Sequence, residues 1–298
     1  MLFAVPLTPS QISATTRLFS SAVFREMAKK GRSGAFARLF SQLDASPLRV
    51  CGTVGDAFEA AFQILKTEGL RDEYIYRAAV TQKVLLGKHS LNTASMLTEF
   101  RAGTCKADLV ILNGTASVYE IKSERDSLDR LENQIESYRK VFATINVIAG
   151  ESHVAKIQQL VPKEVGIMSL SRRYQISTIR DATELPGYTN PISVFESLRS
   201  AEARAVLDDF GVDVPNVPNT RLHAAMRECF SRLPAEDVQR SMVKVLKRTR
   251  NLAPLSELIG QLPRSLHAAA LSTRVNSSER DRLVRAVHTP LDVARGWA

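Results

Sequence analysis

The strongest constraint on this chain is a change of hydrophobic period near residue 95. Upstream, apolar residues recur every three or four positions, the helical spacing. From Met96 onward the period drops to that of strands. The stretch KADLVILNGTASVYEIK, residues 106–122, holds two apolar runs joined by Asn113-Gly114, a dipeptide suited to a tight hairpin turn. Those 17 residues must therefore enter a sheet as adjacent antiparallel strands, and everything around them must cover that sheet.

The surrounding pattern supplies the cover. Residues 11–48 read as helical, with Leu18, Val23, Phe24 and Met27 on one side and Gly31 as a stop; GAFARLFSQL is a second short helix. Residues 54–69 and 71–86 give two more helices, each closed by a glycine. Strands are expected at 96–100, 107–112 and 117–123, then an amphipathic helix at 126–142 capped by Asp126, a buried strand at 145–150, a helix over VAKIQQLV, and strands at 165–171 and 174–180 turning at Arg172-Arg173. TELPGYTNP, residues 183–191, reads as a linker. The expectation is an α/β protein with three parts: a helical region at 1–70, an α-β-β-β-α-β core with a mixed central sheet at 71–182, and a helical, basic region at 192–298.

Composition bounds the function classes. Of the 298 residues 44% are hydrophobic, and the mean hydropathy of −0.10 suits a packed core rather than disorder. No apolar run approaches the ~20 residues that span a bilayer, so no membrane partner and a cytoplasmic location are expected. Cys51, Cys105 and Cys229 are too scattered for a disulfide framework or a zinc finger. The net charge is +9. Residues 1–50 carry 7 Lys/Arg against 2 Asp/Glu, residues 51–190 carry 17 of each, and residues 191–298 carry 16 against 12, giving +5, 0 and +4. Basic charge therefore collects in the flanks, an arrangement that suits a polyanionic partner. It equally suits plain solubility.

Chemistry concentrates at the ends of the hairpin strands. Alternate residues of a strand share a face, so Glu120 and Lys122 point together, and Asp108 points with Val110 and Leu112. Two carboxylates supply hard oxygen ligands that suit Mg²⁺ or Mn²⁺ better than zinc. A lysine beside them suits positioning a water or stabilising developing charge, and the two carboxylates hold it protonated when no metal is bound. On the following helix Arg130, Gln134 and Tyr138 are spaced four apart and share a face. Such charges also occur as ordinary blocking groups on edge strands. No Ser-His-Asp or Cys-His arrangement and no phosphate-binding glycine loop is present.

An Asp, a hairpin, then Glu-x-Lys, preceded by a helix and followed by an amphipathic helix and a buried strand, resembles the PD-(D/E)XK nuclease superfamily over roughly residues 71–150. Ala107 stands where that motif has proline. The resemblance implies a restriction-endonuclease-like fold and a metal-dependent nuclease. Asp108 and Glu120 would bind Mg²⁺ or Mn²⁺, with Lys122 at the water. Gln134 and Tyr138 match the Gln-x-x-x-Tyr of some branches. A further acidic ligand falls to Glu73 by topology or to Glu99 by proximity. Nucleic acid is the implied partner, DNA ahead of RNA, with Arg101, Arg130 and Tyr138 near the site and Lys244, Lys247 and Arg248 of RSMVKVLKRTR (240–250) on the backbone. A tRNA-cleaving enzyme with the same site, and an inactive protein that keeps the fold for binding, are the alternatives. The helical flanks offer surfaces for a second copy or a partner protein.

Overall fold

The structure is a computed structural model, described over residues 7–43, 52–67, 69–214 and 216–297. Cys51 and the end of the expected 11–48 helix lie outside the described residues. The chain runs α1 (Pro9–Leu18), α2 (Ser21–Lys30), α3 (Gly34–Ser41), α4 (Val54–Leu65), α5 (Glu73–Val80), a π-helical turn at Thr81–Leu85 and α6 (Leu86–Lys88). Then come β1 (Ser95–Ala102), β2 (Cys105–Asn113), β3 (Thr115–Lys122), α7 (Leu131–Arg139), β4 (Thr144–Gly150), α8 (Glu151–Leu160), β5 (Gly166–Leu170) and β6 (Ile176–Arg180). The remainder is helical: α9 (Pro191–Ser197), α10 (Ser200–Asp209), α11 (Asn219–Ser231), α12 (Ala235–Thr249), α13 (Ser256–Gln261), α14 (His267–Ser272), α15 (Ser277–Val287) and α16 (Leu291–Ala294). The protein is thus α/β, and no helix among the described residues is long and apolar enough to cross a membrane.

The chain forms two compact units that cut across the expected three-part division. One comprises residues 1–84, 172–174 and 254–298; the other comprises 85–171 and 175–253. The first is helical and joins early and late segments. Thr53 bridges Pro290, with Val54 N–H donating to Thr289 O and Leu291 N–H to Gly52 O, both at 2.9 Å. Its core is aromatic: Phe19 stacks on Tyr74 at 4.8 Å, and Phe36 meets Phe58 at 5.3 Å and Trp297 at 5.9 Å. Arg71, fully buried, shows why residues 172–174 join this unit. Its guanidinium donates to Lys66 O at 2.7 Å and to Arg172 O at 2.9 Å, so the buried charge is satisfied by carbonyls.

The second unit carries a six-stranded sheet in the order β1-β2-β3-β4-β5-β6. β1, β2 and β3 are antiparallel, β3, β4 and β5 are parallel, and β6 is antiparallel to β5. Parallel neighbours need crossovers, and α7 and α8 provide them. Val110, Val118, Ile145, Val147 and Ile167 on the strands join Ile135 and Tyr138 of α7, Ile157 of α8 and Met242 of α12 in one buried cluster. The expected mixed sheet is therefore present, covered on this face by α7, α8 and the helices of residues 191–249.

Three boundaries differ from expectation for identifiable reasons. The helix expected from Asp126 begins at Leu131, because the Asp126 carboxylate accepts the Ser123 N–H at 2.7 Å and closes a turn instead of capping. The last strand begins at Ile176 rather than 174, because Tyr174 has φ 58, which is incompatible with extended backbone. The linker holds a 3₁₀ turn at Pro186–Tyr188, and Asn190 caps α9 by accepting the Ser193 N–H at 3.0 Å.

Candidate functional site

The β2–β3 hairpin and α7 bring five of the sequence-selected residues together. The ladder between β2 and β3 ends at Leu109↔Tyr119. One step beyond, the Asp108 carboxylate replaces the missing strand partner: its Oδ2 accepts the Ile121 N–H at 2.8 Å. Glu120 and Lys122 lie on the same strand face and are both buried. The Lys122 ammonium sits 2.9 Å from Glu120 Oε1 and donates to Gln134 Oε1 at 2.8 Å. Gln134 Nε2 in turn donates to Glu120 Oε1. Tyr138 donates its hydroxyl to Glu120 Oε2 at 2.7 Å, with Lys106 O also 2.9 Å away. Burial first, then the Glu120 and Asp108 charges, push the Tyr138 phenol far up, so it remains a donor across the physiological range.

This network satisfies a carboxylate that would otherwise be costly. Glu120 is 1% exposed, and a buried carboxylate needs a counter-charge and full hydrogen bonding. Lys122 supplies the charge; Gln134 and Tyr138 fill the remaining acceptor positions. Their i, i+4 spacing on α7 puts both over the end of β3.

Asp108 stands where the strand alternation breaks. Ala107 and Val110 both belong to the buried cluster under the sheet, as do Leu97 and Phe100 on β1, so neither strand keeps strict alternation here. The β1–β2 register passes from Thr98↔Leu109 to Phe100↔Ala107, which leaves Glu99 opposite Asp108. Glu99 has φ 52, a left-handed conformation that costs a non-glycine residue roughly 1–2 kcal/mol. The expectation that Asp108 points with Val110 and Leu112 is thereby corrected: it is half-buried at the break rather than embedded in the core face. Carboxylate oxygens of Glu99 and Asp108 lie within 4.8 Å of each other, a spacing that one hard divalent cation can bridge. Glu99 also pairs with Lys106 at 3.7 Å.

The remaining selected residues of the second unit lie outside this hydrogen-bond network, and Glu73 belongs to the first unit. Glu73 lies in the first unit, exposed on α5 and ion-paired with Arg77. Arg101 is exposed and donates to Gly103 O at 3.2 Å, tied to the β1–β2 turn. Arg130 occupies the position before α7 and is exposed, so it does not extend the Gln134–Tyr138 face inward. Lys244, Lys247 and Arg248 lie on α12 in a groove that also includes Gly114 of the β2–β3 turn, at the opposite end of the hairpin from Asp108. Asn92 and Asn251, which share that groove, were not selected from the sequence; isolated asparagines outside a motif give no signal to find them by.

Three comparisons bear on kinship. The family described as bacteriophage P4 protein cII matches residues 66–257. "Protein cII" of Enterobacteria phage P4 is 24% identical over 220 residues, 70% of this chain and 79% of that protein. Among solved structures, "SPO1766 protein of unknown function from Silicibacter pomeroyi" aligns over 41% of this chain and 85% of its own at 20% identity, with a TM-score of 0.28, too low to establish a common fold.

Proposed function

We propose that this chain, which belongs to the bacteriophage P4 protein cII family, is a metal-dependent nuclease of restriction-endonuclease-like fold that hydrolyses nucleic-acid phosphodiesters, DNA ahead of RNA. The observation that carries the reading is the convergence of Asp108, Glu120, Lys122, Gln134 and Tyr138 at one end of the β2–β3 hairpin. Asp108 and Glu99 are the residues that would first hold Mg²⁺ or Mn²⁺, with Glu120 behind them. Bound there, the ion would lower the pKa of a water and offset charge on the phosphoryl group. The chain's own groups do the positioning. Lys122, held between Glu120 and Gln134, presents a proton donor beside the carboxylates. Tyr138 fixes Glu120 so that its charge does not swing away.

One observation favours a second reading, a non-catalytic binding protein. Both Glu120 oxygens are already engaged by Lys122, Gln134 and Tyr138, and a ligating Glu120 would have to release one of them. The same experiment separates the two. The purified chain is titrated with Mn²⁺ in a calorimeter and incubated with plasmid, single-stranded DNA and tRNA, with and without Mn²⁺. The nuclease reading expects a binding heat and Mn²⁺-dependent cleavage, reduced at least about 100-fold in Asp108→Asn. Preference for tRNA would move the substrate to RNA. No binding heat, or an Asp108→Asn protein as active as wild type, overturns it.

A further inference from the structure

The groove at the far end of the hairpin has a chemistry of its own. It encloses about 490 Å³ and is lined by Asn92, Gly114, Arg240, Val243, Lys244, Lys247, Arg248 and Asn251. Four of these eight residues are cationic, and α12 carries all four. Arg240, Lys244 and Arg248 are spaced i, i+4, i+8, so like charges stack on one helix face, an arrangement that destabilises a helix. Internal acids relieve part of it. Arg240 pairs with Asp237 at 2.8 Å and Glu236 at 3.2 Å, and Lys244 pairs with Asp209 at 2.8 Å. The Lys244 hydrogen bond, with a longer-range contribution from Arg248, holds Asp209 below its usual range. Lys247 and Arg248 make no hydrogen bond or ion pair with any described residue, and Lys247 is half-buried. The groove therefore keeps two cations, Lys247 and Arg248, without a direct hydrogen-bonded or ion-paired partner among the described residues.

The rest of the lining defines what would neutralise them. Gly114, at φ 74, has open space where a Cβ would project, so the turn leaves room for close approach. Asn92 and Asn251 are exposed amides that donate to phosphate or sugar oxygens. Arg240 to Arg248 covers about 12 Å of helix axis, a length that follows several phosphates rather than one. None of the residues lining the groove is aromatic, so it offers no platform for stacking unpaired bases. We infer that this groove binds the sugar–phosphate backbone of a nucleic-acid duplex, with Lys247 and Arg248 as its principal phosphate contacts. Asp108 to Asn113 spans five residues of β2, about 17 Å, so this surface is separate from the carboxylate end and stands whether or not that end is catalytic.

The test measures binding of a labelled 20-bp duplex to the full chain by fluorescence anisotropy in EDTA, where metal-dependent hydrolysis cannot occur. Salt is varied from 50 to 200 mM, for wild type and for the Lys247→Gln/Arg248→Gln double variant, with circular dichroism to confirm that the variant folds. Removing two phosphate contacts lowers the magnitude of the log–log salt slope by about 1.8, so the fourfold salt rise costs the variant about 12-fold less affinity than wild type. The duplex is expected to bind more tightly than a single strand of the same length. An unchanged slope in the folded variant, or tighter binding of the single strand, overturns the inference. A wild type that binds duplex in EDTA but cleaves nothing in Mn²⁺ would leave the groove standing and remove the nuclease.

Discussion

Replacing Lys122 with Met tests the electrostatic logic of the site directly. Lys122 and Glu120 side chains are 9% and 1% exposed and 2.9 Å apart. Removing the ammonium leaves Glu120 charged in the interior with only Gln134 and Tyr138 as donors, and breaking a buried pair from one side costs about 3–5 kcal/mol. Glu120→Gln strands the lysine instead and costs a similar amount. The double variant leaves neither charge exposed to the interior, and a Gln at position 120 still has hydrogen-bond partners in Gln134 and Tyr138. Taking about 3 kcal/mol for each single change, the double variant should fall short of their sum by about 2–3 kcal/mol. Urea denaturation measures the stabilities, and hydrogen exchange at the amides of β3 and α7 locates the loss in the sheet-bearing unit. Additivity within about 0.5 kcal/mol, or single variants that each cost less than about 1 kcal/mol, would refute a coupled buried pair. The outcome also governs how catalytic variants are read: loss of cleavage in a Lys122 variant counts only where that variant is folded.

Two further perturbations follow from the same unit. Tyr138→Phe removes a hydroxyl that donates to a carboxylate while keeping the ring, so it should lower stability by about 1.5–3 kcal/mol in thermal or urea unfolding; no loss would place the Glu120 charge elsewhere. Glu202 carries a pH dependence: burial pushes its carboxyl up, but the bidentate Arg250 guanidinium at 2.7 and 2.8 Å and the Arg199 N–H hold it below its usual range. Because the folded value is depressed, its contribution is complete above the ordinary carboxylate value of 4.5 and disappears as pH falls through the lower folded value. Glu202→Gln should therefore be less stable than wild type at neutral pH and flatter in acid; parallel stability–pH curves would refute this.

The hairpin and much of its site were legible because their signals are local. Period-two alternation, Asn113-Gly114 and the i, i+2 relation of Glu120 and Lys122 need no tertiary information, nor does the i, i+4 relation of Gln134 and Tyr138. What escaped depends on contacts made across the chain or on backbone the pattern does not encode. Nothing in MLTEFRAG marks Glu99 as left-handed, since glutamate has no preference for that region, so the break opposite Asp108 was invisible. Asp126 carried the composition of a cap but spent its carboxylate on Ser123. The pairing of Thr53 with Pro290 joins segments more than 200 residues apart, beyond the reach of any spacing argument, and it explains why the consecutive three-part division did not emerge.

That pairing has a consequence for synthesis. Residues 85–171 and 175–253 contain every strand of the sheet and the whole Asp108–Tyr138 network, so they are synthesised before the helices from residue 254 onward. The aromatic unit, by contrast, lacks its Pro290 bridge and its Trp297 until well after the whole sheet has been made. Early helices such as α2 and α4 can pack on α1 and α3, but the faces they present to α15 and α16 are made before their partners, and nascent chains expose such faces to aggregation. Vectorial synthesis thus completes the segments of the sheet-bearing unit before those of the aromatic one.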